Sequence, residues 1–364
     1  MGKLAKGSVV VLVGTRKGAF AFRSDQKRKK WSVEGPWFAG THVHHVIRDA
    51  RTGGLIAAVN NGWFGGDVHR SADWGKTWKG SDGGVRYPAE SGLSVTRIWH
   101  VQPGRASEPG VVYAGVEPAG LFRSGDGGAT WEEVKGLNQH ASREKWTPGG
   151  GGLMLHTIVL PEENPKRMYI AISAAGVFRS DDGGATWQPR NNNTRADFAP
   201  DKMPEVGQCV HKLVAAKGSA DLLYQQNHCG VYRSESGGDD WTDISEGLPS
   251  RFGFPMWVNP RDSKMLWVLP HVGAEMRAFA KGVVVAYRSA NGGKTWQKQT
   301  RGLPAKNAYL TVLRDAMSGD ACDSPGVYFG TETGELFFSR NEGNDWSLLA
   351  DLLPPVMSVE AAVV

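Results

Sequence analysis

Cysteine is scarce: Cys209, Cys229 and Cys322 are the only three in 364 residues. That number is too small, and odd, for a disulfide framework. Long apolar runs are also missing. No stretch approaches the ~20 apolar residues a membrane helix needs. The opening MGKLAKGSVVVLVGTRKG carries Lys3 and Lys6, but its apolar run is only about seven residues and no small-residue cleavage site follows, so it does not read as a secretory leader. Lys6 stands where a myristoylation signal wants Ser or Thr. These absences predict a reduced, cytoplasmic protein away from membranes. A dominant charge sign is lacking as well: 42 basic residues against 37 acidic ones leave +5. The one dense run, KRKK at 27–30, is expected to be a solvated turn, and no nucleic-acid partner is expected. No segment shows a long helical period.

Glycine and tryptophan are abundant, at 48 and 14 residues. The pairing suggests short strands and tight turns. One local pattern organises them. A Trp follows a Ser seven residues later at Ser24/Trp31, Ser71/Trp78, Ser124/Trp131, Ser180/Trp187, Ser234/Trp241, Ser289/Trp296 and Ser339/Trp346. Successive anchors lie 47 to 56 residues apart. A period near 50 residues is that of a propeller blade.

Each copy reads as an apolar strand, a polar turn, a second strand, a short Gly turn and a third strand ending in FRS, YRS or FFS. The Ser–Trp segment then turns into a fourth strand. Four antiparallel strands repeated seven times predict an all-β, seven-bladed propeller. The expected organisation is one propeller domain over 1–364. Blade 1 comes from 8–34 plus 356–364, and blades 2–7 from about 41–355. The C-terminal strand VMSVEAAVV (356–364) is expected to supply the innermost strand of blade 1, removing an open edge.

The segment Ser-x-Asp-x-Gly-x-Thr-Trp resembles the Asp-box, or BNR repeat, of the sialidase-like propellers. The resemblance covers essentially the whole chain. Three copies fit fully, at Ser71–Trp78, Ser124–Trp131 and Ser180–Trp187. In the others Asn291, Asn341 and Ser236 replace the Asp, and the first keeps only Ser24 and Trp31. An Asx or Ser side chain fastens its own turn and Gly supplies positive φ, so the box is expected to be structural. The resemblance implies several functions. Sialidases of this kind use an arginine triad, which cannot be placed here, and six blades rather than seven. Asp-box xyloglucanases use two seven-bladed propellers with a cleft between them, and this chain has one. Photosystem assembly factors are single seven-bladed propellers that bind proteins.

Four insertions are expected on the face opposite the boxes: 79–95, 132–151, 188–207 and 270–282. Clustered insertions mark a binding face. The inner strands there carry His42, His44, His45, His100, His156 and His211, and second-to-third turns carry His228 and His271. Imidazoles gathered near an axis suit a transition metal, with three protein ligands leaving an open position. His45, His100, His156 and His211 are therefore the candidate ligands or bases, and a divalent transition metal is the expected cofactor. CVH (209–211) and HC (228–229) could instead meet within one blade as two thiols and two imidazoles. Trp63, Tyr87 and Trp146 are expected to wall the pocket. Arg97, Glu117, His228, His271 and Glu332 complete the substrate contacts, with Glu360 and Arg16 nearby. The leading expectation is a metal-assisted hydrolase or lyase acting on a small molecule. The alternatives are a non-catalytic propeller binding a protein or glycan, and an Asp-box glycoside hydrolase.

Overall fold

The computed structural model describes residues 5–62 and 65–364. Trp63 lies outside the described residues. The fold is a seven-bladed β-propeller built of seven antiparallel sheets. Blade 1 runs Val356–Val363, Val9–Thr15, Gly18–Ser24, Ser32–Trp37, so the C-terminal strand takes the innermost place. Val9 pairs with Val363 and Val13 with Val359 along that seam. Blades 3 to 7 begin with the strands Arg97–Pro103, Met154–Val159, Val210–Ala215, Gly253–Val258 and Met317–Gly319. In blade 2, His42–Arg48, Leu55–Asn61 and Gly65–Ser71 form the sheet, and its outer strand shrinks to a bridge between Arg70 and Lys79. Among the described residues no helix is long and apolar enough to cross a membrane.

The chain divides into two compact units, residues 1–46 with 245–364, and residues 47–244. The first has a core of Val9, Val11, Val13, Trp267, Phe329, Trp346 and Val356, among others. In the second, Leu121, Leu155, Ile170, Phe178 and Trp187 form one cluster, and Ile98, Val112, Ala114 and Phe122 another. The strands are apolar on both faces (VVVLV, MYIAI) because each sheet is packed on both sides.

The boxes are turn fasteners. Ser180 Oγ donates to Asp182 Oδ1 at 2.8 Å and accepts the Gly184 amide at 2.8 Å. Asp182 in turn accepts Thr186 N at 2.9 Å and Thr186 Oγ1 at 2.6 Å. The same donors hold the Asp73 carboxyl down at about 2, through the Thr77 amide and hydroxyl and Ser71. Asn291 reproduces this, accepting Thr295 N at 3.0 Å. In the fifth copy Ser236 Oγ accepts the Asp240 amide at 3.1 Å. The Ser-to-Gly contact persists at 2.8–2.9 Å in all of these copies. The motif therefore survives loss of its acid because a neutral acceptor can serve the same amides.

In the KRKK run Lys27, Lys29 and Lys30 are exposed as expected, and Arg28 departs from that expectation. Arg28 is only 5% exposed. Its Nη1 donates to Asp320 Oδ2 at 2.9 Å, and its Nη2 to the carbonyls of Ser324 and Arg340. Tyr328 Oη also donates to Asp320, at 2.7 Å. Burial, then the Asp320 charge, pushes the Tyr328 hydroxyl well above its usual range. This network ties blade 1 to blade 7 inside the first unit.

Candidate functional site

The inner strands of blades 3, 4 and 5 share an irregularity. Their pairing skips one residue, namely Trp99, His156 and His211 respectively. A bulge leaves its extra residue unpaired and re-aims the side chain. His156 and His211 thus share a structural column with Trp99, whereas His100 shares one with Thr157 and Lys212. The four candidate imidazoles are therefore not equivalent, which strand alternation alone hides.

Each bulged side chain has a different task. Trp99 Nε1 donates to Glu117 Oε2 at 2.9 Å. His156 contacts Thr157 Oγ1 through Nδ1 at 2.9 Å and the Val210 carbonyl through Nε2 at 3.0 Å, so it stitches blade 4 to blade 5. His211 Nε2 stands 3.6 Å from Cys209 Sγ.

Glu117 ends the second strand of blade 3 and is partly exposed. Besides Trp99, Arg97 Nη1 approaches its Oε2 at 3.5 Å. Its Oε1 lies against Gly152, where an added Cβ would overlap the carboxylate, and Gly152 has φ +107°. Gly152 closes the run Gly149–Gly152, one residue past the end of the second insertion. At the other end of that run, Gly149 faces Cys209 Sγ, 3.9 Å from where a Cβ would sit. The run thus reaches from the Glu117 carboxylate at Gly152 to a group of Ser173, Ala174 and Cys209 at Gly149.

That thiol belongs to a second group. Cys209, His211 and His228 bring one ligand atom each to within 4.8 Å of one another. Cys209 and His211 are buried, and His228 is half-buried. The rings of His211 and His228 meet edge to face at 5.5 Å. Cys229 does not join them: its Sγ accepts the Asp197 amide at 3.3 Å, and burial pushes its thiol up. The expected pair of thiols and pair of imidazoles is thus one thiol and two imidazoles.

The remaining candidates serve other contacts. His45 Nε2 lies 3.2 Å from Glu360 Oε1. His42 and His44 stack at 5.0 Å, and burial, then the neighbouring His42, lowers His44 well below the usual histidine range. His100 is 4% exposed. His271 packs against Phe254 and Phe279, its Nε2 faces the Val312 amide at 3.4 Å, and burial lowers it to about 3. Glu332 pairs with Arg16 at 3.4 Å on the surface. Trp146 is a core residue rather than a pocket wall, in contact with Phe178 and donating to Ser142 Oγ at 2.9 Å. Tyr87 donates to the Pro118 carbonyl at 2.8 Å and edges a cleft of about 820 Å³ formed by 79–95 with Gly65, Gly66 and Asp67.

No family model matches the chain. An oligoxyloglucan-reducing end-specific xyloglucanase of Emericella nidulans is 25% identical over 293 residues, covering 72% of this chain and 33% of that enzyme. The chain therefore spans about a third of the length of that curated relative. The crystal structure of the GH74 xyloglucanase from Xanthomonas campestris aligns over 99% of this chain and 52% of its own, with TM-score 0.64 and 18% identity. The structure of YCF48 bound to D1 peptide aligns over 90% of both chains, with TM-score 0.52 and 11% identity. These structural likenesses concern the fold.

Proposed function

We propose that this protein is an Asp-box propeller acting on glycans as a glycoside hydrolase, with Glu117 as a working carboxylate. The observation that carries the reading is the braced geometry of Glu117. Its Oε2 is oriented by the Trp99 indole N–H and Arg97, and its Oε1 packs against the Gly152 backbone. Glycosidic cleavage needs a positioned carboxyl group to exchange a proton or to attack the anomeric carbon. Two donors on one oxygen meet the requirement that the carboxylate be held in place. The similarity to a xyloglucanase over 293 residues supports a β-glucan as the substrate class. The cleft lined by Asp67, Ser81 and Tyr87, which Glu117 itself does not line, offers the mixed polar and aromatic contacts a sugar chain takes.

The test is a reducing-sugar assay on xyloglucan oligosaccharides and related β-glucans. Glu117→Gln should lower kcat by at least the ~10²-fold that a proton-transfer group contributes, with an unchanged melting temperature. Undiminished turnover in the variant refutes the assignment of Glu117. A second reading, a non-catalytic propeller that docks a peptide, is favoured by the match of a single propeller to a peptide-bound one over 90% of both chains. It predicts no turnover of any glycan on the panel.

A further inference from the structure

We propose that Cys209, His211 and His228 form a mononuclear site for a zinc-class metal ion, with one coordination position left open. Two chain segments supply the ligands. Cys209 and His211 flank Val210 at the start of the inner strand of blade 5, and His228 sits in the turn between the second and third strands of the same blade. A backbone hydrogen bond from the His228 amide to the Cys209 carbonyl, 2.9 Å, locks the turn to the strand. The metal would therefore close a gap between parts already held in place.

The distances fit. Zinc binds thiolate at about 2.3 Å and imidazole at about 2.0–2.1 Å in tetrahedral geometry, which places neighbouring ligand atoms roughly 3.3–3.7 Å apart. The Cys209 Sγ to His211 Nε2 separation is already 3.6 Å. The widest pair, within 4.8 Å, closes by about 1 Å when the half-buried His228 ring rotates, a change within the range of side-chain rotamers. The donor set also selects the ion. One thiolate with two imidazoles is too soft for calcium or magnesium and suits zinc or its tetrahedral substitutes.

The surroundings support a ligand role. Ser173 Oγ lies 3.6 Å from Cys209 Sγ as an outer hydrogen-bond partner. Phe198 covers the His228 ring edge at 5.0 Å, limiting water without sealing the site. Three protein ligands are the pattern of a site that keeps a water or substrate position. The partial exposure of His228 provides the entry path. This assignment stands independently of the carboxylate chemistry proposed for Glu117.

The experiment titrates the stripped full chain with Zn²⁺ against a chromophoric chelator, and with Co²⁺ as a spectroscopic stand-in. One equivalent of zinc should bind. The cobalt form should show tetrahedral d–d absorption and a thiolate-to-cobalt charge-transfer band. Cys209→Ser should abolish that band. His228→Gln, on a surface turn, should weaken zinc by more than the ~10–100-fold that losing an outer-shell partner costs, with an unchanged melting temperature for the stripped protein. Cys229→Ser should change neither. No stoichiometric zinc binding overturns the proposal, as does a charge-transfer band that survives Cys209→Ser or disappears in Cys229→Ser. Undiminished affinity in His228→Gln overturns it too.

Discussion

Acid should weaken this protein through His271, and the size of the effect follows from its burial. The ring is 1% exposed between Phe254 and Phe279. Burial alone lowers its folded-state pKa from 6.5 to about 3. The unfolded chain therefore binds a proton on this group at pH values where the folded chain does not. Stability contributed by the neutral ring is fully present above pH 6.5 and is lost as pH falls toward 3. At one pKa unit per 1.36 kcal/mol, acidification from pH 7 to 4.5 removes about 2.5 kcal/mol through this ring. His271→Gln keeps an acceptor for the Val312 amide and deletes the titration. Urea unfolding of both proteins at pH 7, 6, 5 and 4.5 should show the wild type losing about 2.5 kcal/mol more than the variant over that range. His44, whose shift has the same sign, remains in both proteins and cancels in the difference. Parallel stability curves for the two proteins would refute the argument.

Two further outcomes are expected from the fold. Asp320→Ala leaves the Arg28 guanidinium buried without its carboxylate, and should cost about 3–5 kcal/mol in urea unfolding. A loss below about 1 kcal/mol would mean that water solvates the site. Ser180→Ala removes the buried acceptor of the Gly184 amide and should lower stability by about 1–3 kcal/mol. The same change at the worn fifth copy, Ser234→Ala, should cost a comparable amount, because its contact to Gly238 is the same length.

The propeller was legible because its determinants are local. A Ser with a Trp seven residues on recurs in every blade, and blades 2 to 7 add a Ser–Gly contact within the turn, so spacing alone counts the sheets. The closure by 356–364 was legible for a similar reason: an apolar strand without its own box had one partner lacking. The site was less legible. Strand position lists the histidines, but one bulged residue in each inner strand of blades 3, 4 and 5 decides which way it points, and bulges leave no mark in a run such as MLHTI. The Cys209–His211–His228 group was visible as two short segments. What stayed hidden was that Cys229 faces the Asp197 amide instead. The close approach of Gly152 to Glu117 had one signal, four consecutive glycines at 149–152. Arg28 carried none, since its partner Asp320 lies 292 residues away.

The pairing of Val9–Thr15 with Val356–Val363 also sets an order of events during synthesis. The strand VVVLVGT leaves the ribosome some 345 residues before its inner partner is made. At about 5–20 residues per second, that apolar edge stays unpaired for tens of seconds while other blades form. An unpaired apolar edge is a template for strangers, so the nascent chain is most vulnerable to aggregation before the strand Val356–Val363 arrives. Truncations that remove only 356–364 should accordingly yield insoluble protein, although every box remains present.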